Sequence, residues 1–152
     1  MEESKQNPKA ADIVNEIAQN IDMGMDCYYR PKTKEVLTLF SEDMLMEYGD
    51  EEEYRTAFKD SLEKIEGHEE DFIKVGPLEG LESFKMMEHF VAEVPDPAFQ
   101  NKLSNVLERR KPFRNFKFLI DNSPFREDWF VFKQSELEKI VKNVLVANGV
   151  EF

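Results

Sequence analysis

The sequence predicts an α+β fold: a small antiparallel sheet of two or three strands with about five or six helices, and a helical C-terminal half. Three observations predict it. Apolar residues step by three and four over most of the chain, the period of a helix buried on one face. Two short clusters of aromatic and β-branched residues, at 26–29 and 36–40, break that period and flank a proline-containing turn. The 152 residues are 41% apolar and 34% charged, with 13 Phe, 4 Tyr and 1 Trp. That length and composition suit one folded domain with a real core, not a disordered chain and not two full domains.

Residues 1–9 are polar and are expected to be frayed, which leaves 10–152 as a single α+β domain. From Ala10, the residues Ile13, Ile17 and Ile21 step by four with Val14 alongside, an amphipathic helix ending near Gly24. Asp26-Cys27-Tyr28-Tyr29 and Val36-Leu37-Thr38-Leu39-Phe40 read as a β-hairpin. Arg30-Pro31-Lys32-Thr33-Lys34-Glu35 joins them, and Pro31 suits the second position of a turn. Ser41 to Glu53 is acidic and includes Asp50-Glu51-Glu52-Glu53. Tyr54, Phe58, Leu62 and Ile65 mark a second helix closed by Gly67. Phe72-Ile73-Lys74-Val75 before Gly76-Pro77 is a third strand, expected to pair with the hairpin because a two-stranded ribbon alone is marginal.

In the second half, Leu81, Phe84, Met87, Val91 and Val94 form one stripe, broadened by Met86 and Phe90, that runs to Pro95. Asp96-Pro97 joins an N-cap to a proline at the first helical position and opens a helix buried on Phe99, Leu103, Val106 and Leu107. Lys111-Pro112 starts a short helix carrying Phe113, Phe116 and Ile120, stopped by Asn122-Ser123-Pro124. Asp128-Trp129-Phe130-Val131-Phe132 is too short an apolar run for period to separate a strand from a helical turn. Ser135 and Glu138 have capping-box spacing, so the last helix is expected from there. It buries Leu137, Ile140, Val141, Val144 and Leu145, and Gly149 falls just past its end.

The formal net charge is −12. Met1 to Gly76 carries 9 basic and 20 acidic residues, whereas Pro77 to Phe152 carries 11 and 12. Such a charge repels polyphosphates and anionic lipid at long range, against non-specific DNA binding or a membrane role. No leader-like apolar stretch follows Met1, and no apolar run approaches the ~20 residues of a membrane helix. A cytoplasmic protein is the expectation. A single cysteine, Cys27, excludes an internal disulfide and any Cys-cluster metal site.

The strongest local anomaly is basic and aromatic. From Lys102 to Lys117 there are six basic residues against one acidic, Glu108. Arg109, Arg110, Lys111, Arg114 and Lys117 are interleaved with Phe residues, a pattern that can hold phosphates while rings stack on bases, or can grip an acidic protein. The weightier structural reading makes the Phe residues core and lets the cations answer the acidic half. Trp129 and Phe132 form a second aromatic site. Trp is enriched at interface hot spots, though the lone Trp of a small domain more often anchors its core.

Catalytic signatures are sparse. His68 lies beside Glu69 and Asp71 in a polar turn, the set on which a metal-assisted hydrolase would rest, but adjacent carboxylates lack preformed spacing. His89, with Lys85 and Glu93 four residues to either side, reads as part of a surface ion row. Cys27 reads as a small half-buried residue. There is no nucleophile elbow and no glycine-rich phosphate loop. No catalytic residue, metal ligand or cofactor is assigned.

Met87-Glu88-His89-Phe90-Val91, Phe113-Arg114-Asn115-Phe116-Lys117 and Trp129-Phe130-Val131-Phe132 resemble segments of uncharacterised protein family 0158, a bacterial group of unknown function. Its members share a hairpin-like start, a Met-Glu-x-Phe helix, a Phe-Arg-x-Phe-Lys block and a Trp-x-x-Phe segment before the last helix. The resemblance runs from about Asp26 to Gly149. The chain departs from the family pattern at Lys34, where Gly is usual, and at Arg110-Lys111-Pro112, where smaller residues are frequent. The resemblance implies this organisation and carries no activity, substrate or cofactor. The function favoured is a small acidic interaction or regulatory module whose partner is another protein. The binding candidates are Arg109, Arg110, Lys111, Arg114, Lys117, Trp129 and Phe132. Single-stranded nucleic-acid or nucleotide binding through the same block is the alternative, and the metal-assisted hydrolase is a second.

Overall fold

In the computed structural model, which describes residues 9–151, the first apolar stripe folds as α1 (Ala10–Asp22). The expected frayed segment lies outside the described residues except for Lys9, whose carbonyl accepts the amides of Asp12 and Ile13 and starts the helix. The hairpin follows as β1 (Met25–Arg30) and β2 (Glu35–Phe40), paired antiparallel with Tyr28 opposite Leu37 and Arg30 opposite Glu35. β3 (Ile73–Val75) adds to the other edge of β1, with Tyr28 opposite Lys74, so the strand order is β2-β1-β3.

Strand alternation gives the sheet two apolar faces. Cys27 and Tyr29 are buried on one, where the Cys27 Sγ lies 3.9 Å from the Ile17 carbonyl of α1. The other face carries Leu37, Leu39 and Tyr28, which pack with Leu62, Ile65 and Phe72. Between β2 and β3 stand three short helices, α2 (Glu42–Tyr48), α3 (Glu51–Ala57) and α4 (Lys59–Ile65). Ser41 caps α2 by accepting the Met44 amide, Gly49 ends it at φ 55, and Asp50 caps α3 by accepting the Glu53 amide. Each cap holds an N-terminal amide that has no partner inside its helix.

The remaining helices are α5 (Gly80–Glu93), α6 (Pro97–Leu107), α7 (Pro112–Asp121) and α8 (Arg126–Ala147). Glu79 and Glu82 form a capping box on α5, and Asp96 accepts the Phe99 amide to cap α6. Beyond α8, Val150 N–H bonds the Leu145 carbonyl and Gly149 N–H the Val146 carbonyl, the paired bonds of a glycine-terminated helix. The fold is α+β with a three-stranded antiparallel sheet and a helical C-terminal half.

Among the described residues there are eight α-helices; two local differences from the periodicity account for the number, and a third lengthens the last helix. The acidic stretch after Ser41 forms α2. The expected 54–65 helix is broken at Phe58, whose φ of −108 and ψ of 22 leave the helical region while its ring packs on Phe40 and Tyr54. The undecided run 128–132 is helical and continuous with the last helix, so Ser135 sits inside α8 and does not cap it. The real start is Arg126, preceded by a turn in which the Ser123 Oγ accepts the Phe125 amide.

The chain divides into two compact units. The first contains the described residues up to Pro77 with those from Leu137 on, where Asn15 of α1 donates to Glu138 of α8 at 3.1 Å. The second is Leu78–Glu136, built from α5, α6, α7 and the start of α8. It holds nine basic and ten acidic residues, so nearly all of the −12 charge lies outside it.

Candidate interaction surface

The basic–aromatic block lies at the α6–α7 junction and along α7. Arg109, Arg110 and Lys111 form the connection, which is held in shape by Asn115: its side chain donates to the Arg110 carbonyl at 3.0 Å and its amide to the Lys111 carbonyl at 3.1 Å. Lys111 takes a left-handed conformation at φ 54 immediately before Pro112, an unusual state for a side-chain-bearing residue. The cations of this turn are therefore carried on a defined backbone.

On α7 the helical period sorts the side chains. Phe116, 1% exposed, and Ile120 are buried four residues apart. Phe113, Arg114, Lys117 and Phe118 fall on the outward side, where Phe113 with Lys117 and Arg114 with Phe118 are four apart and neighbours. Phe113 is 45% exposed and Phe118 67%, so the expectation that Phe113 belongs to the buried stripe is corrected. Leu81 of α5, expected in a buried stripe, is also exposed. All five cations are exposed, and among the described residues of this unit none of their side chains is ion-paired. Asp121, the carboxylate on the same helix, is engaged by Arg126 at 3.6 Å.

Trp129 and Phe132 occupy a different place. Trp129 is 8% exposed and packs edge-on against Phe116 and Phe90, with ring centroids 5.0 and 5.2 Å away. Phe132 is half-buried and lies 5.4 Å from the Phe90 ring. Such ring pairs contribute about 0.5–1.5 kcal/mol beyond area burial. The structure thus leaves Arg109, Arg110 and Lys111 exposed in the α6–α7 turn and Arg114 and Lys117 exposed along α7, and puts Trp129 in the core on which α7 rests.

The other candidates are placed as follows. His68 and His89 are exposed, Glu69–Asp71 is a single 3-10 turn, and Asp71 faces Arg30 at 3.9 Å. Among the described residues no three His, Cys, Asp or Glu side chains are grouped to hold a metal ion. Cys27 is 0% exposed, and burial, with Glu16 and Asp26 nearby, pushes its thiol up to about 12, so it is no ready nucleophile. Burial also raises the Asp26 carboxyl, opposed by Lys74 at 3.6 Å.

Sequence reasoning missed one feature. Phe40, Tyr54 and Phe58 converge in a ring cluster beside Leu45, Gly49, Asp50, Glu53 and Ala57, around a cavity of about 220 Å³. The available signal was the Tyr54/Phe58 pair four apart, directly after the acidic cap of α3.

Fold and surface together define an acidic α+β protein with one cationic, ring-bearing helix. The model of an uncharacterised protein family, UPF0158, matches residues 9–152, and the chain belongs to that family. A UPF0158 protein of Pseudomonas aeruginosa is 28% identical over 88 residues, covering 57% of this chain. The chain spans 58% of that relative's length. No solved structure matches significantly. Among the described residues no helix is long and apolar enough to cross a membrane.

Proposed function

We propose that this protein is a small acidic cytoplasmic interaction module that binds an acidic surface of another protein through Arg109, Arg110, Lys111, Arg114 and Lys117. One observation carries the reading: five exposed cations, unpaired within their unit, flank the exposed rings of Phe113 and Phe118. Neither feature helps the fold. Burying a Phe ring contributes about 1.5–3 kcal/mol, which Phe118 largely forgoes, and unpaired surface cations contribute no attraction to folding. A partner that covers the rings and supplies carboxylates recovers both, and local charge complementarity also speeds encounter.

The test is capture of partners by the tagged protein from its own host at low salt, beside the R114E/K117E variant. A stoichiometric protein that the variant loses, while its circular dichroism is unchanged, supports the reading. Equal recovery by both forms overturns it. Single-stranded nucleic acid is the second reading, favoured by the same pairing of exposed Phe rings with cations. It requires that the captured material be nuclease-sensitive and that binding fall steeply with salt.

A further inference from the structure

We infer that the outer edge of β2 is a docking surface for a second copy of this chain, which pairs with it strand to strand about a two-fold axis. In the order β2-β1-β3, β2 and β3 are the two edges of the sheet. β3 is guarded: it is three residues long, carries Lys74 and runs into Gly76-Pro77. A short strand, a lysine and a proline are the devices by which native sheets avoid edge-to-edge pairing. β2 has none of them. Its six residues, Glu35-Val36-Leu37-Thr38-Leu39-Phe40, include no Lys, Pro or Gly, and their one-to-one register with β1 leaves no bulge.

Every second residue of an edge strand turns its N–H and C=O away from the strand it pairs with. Among the described residues, no backbone group of 35–39 is bonded outside the β1–β2 ladder. The side chains are open on the same flank. Cys27 and Tyr29 of β1 are 0% and 4% exposed, whereas Thr38 and Val36, opposite them on β2, are only half-buried. The register of a two-fold pair favours the second copy as occupant. Two residues meet across it only if both turn their backbone groups the same way, so one residue lies opposite itself. Centred on Thr38, the pairing sets Thr38 opposite Thr38, Leu37 opposite Leu39 and Val36 opposite Phe40. Thr–Thr and aromatic–β-branched pairs are favourable cross-strand neighbours. Glu35 then falls opposite Ser41, whereas centring on Leu37 would set it against Leu39.

The experiment is analytical ultracentrifugation of the full chain from about 1 to 300 μM, with amide hydrogen exchange on the same samples. A monomer–dimer equilibrium is expected, with the amides of 36–40 exchanging at least about fivefold more slowly at the concentrated end. Dimerisation should strengthen as salt rises from about 20 to 300 mM, because salt screens the repulsion between two copies of charge −12. Binding through the α7 cations should weaken over the same range, and R114E/K117E should still dimerise at high salt, so the two surfaces are read apart. Thr38→Lys and Thr38→Glu each set like charges face to face and should each raise the dissociation constant about fivefold, while their equimolar mixture restores pairing. Exchange on the parent protein needs no variant, so the proposal stays testable if either substitution disturbs the fold. A parent that is monomeric throughout, protection confined to segments other than 36–40, or folded Thr38 variants that dimerise like the parent would each overturn it. A monomeric parent in which a host protein slows exchange at 36–40 assigns the edge to a foreign strand and overturns the second-copy reading.

Discussion

Replacing Lys34 with Gly should make the protein more stable. The register Arg30 opposite Glu35 leaves Pro31–Lys34 as a four-residue hairpin loop, closed by the Lys34 amide on the Arg30 carbonyl at 2.8 Å. That closure places Lys34 at φ 60, where its Cβ crowds the following carbonyl. The left-handed state costs a side-chain-bearing residue about 1–2 kcal/mol, which Gly avoids. Against this, Gly gives the unfolded chain extra freedom worth about 0.4–1 kcal/mol. The net gain for Lys34→Gly is about 0.5–1 kcal/mol, or a Tm rise of about 1–4 °C for a chain of this size. Lys34 makes no ion pair among the described residues, so loss of its charge contributes little. Urea denaturation followed by circular dichroism measures the change, at constant m value. Lys34→Ala keeps the backbone penalty and should show no gain. Lys32→Gly, in the same loop without a positive φ, should lose up to about 1 kcal/mol. If Lys34→Gly is no more stable than Lys34→Ala, or Lys32→Gly gains equally, the strain argument fails.

The thiol of Cys27, raised from 9.0 to about 12 by burial, ionises more readily in the unfolded chain. Its stabilising effect is thus full below about pH 9 and is lost toward pH 12 by about 1.4 kcal/mol per pH unit, a slope that Cys27→Ala should remove from the stability curve. The folded thiol should also resist a disulfide reagent at pH 8 until denaturant is added. The raised Asp26 carboxyl makes the fold favour its protonated form, so stability is lost as pH rises past the unfolded value. Asp26→Asn should therefore match or exceed the parent at neutral pH and lose that advantage at about pH 3, read from denaturation midpoints. Phe116→Ala should cost about 3–5 kcal/mol, whereas Phe118→Ala should stay within about 0.5 kcal/mol in the same assay. R114E/K117E should likewise leave unfolding within about 0.5 kcal/mol of the parent, since neither side chain has an acid partner in its unit to lose.

Where structure is local, the sequence made it legible. Ile13, Ile17 and Ile21 step by four because α1 has one buried side, and all three are buried. The Asp96-Pro97 start of α6 and the Gly149 stop of α8 follow from which backbone groups a helix end leaves unpaired. Even the departure at Lys34 marks the loop position whose φ is positive. Local signals failed where two of them competed. Ser135 and Glu138 have capping spacing, yet the chain is already helical from Arg126, so the capping pattern lies idle inside α8. Tyr54 and Phe58 keep a helical step, but the packing of Phe58 on Phe40, a residue eighteen positions earlier, turns the backbone between α3 and α4.

The candidate surface shows the limit of periodicity more sharply. Phe113, Phe116 and Ile120 satisfy the spacing of a stripe, and so the block could be read as core with cations at its edge. Period states only which side chains share a helix face; it does not state how wide a band the neighbouring helices cover. On α7 the covered band centres on Phe116 and Ile120 because Trp129 meets Phe116, which leaves Phe113 at the margin and Phe118 on the far side. Basic residues interleaved with rings therefore acquire meaning only after the tertiary contacts are known. Here those contacts bury one Phe and leave two beside five cations, and this partition, more than the composition of the block, makes the helix a candidate for binding.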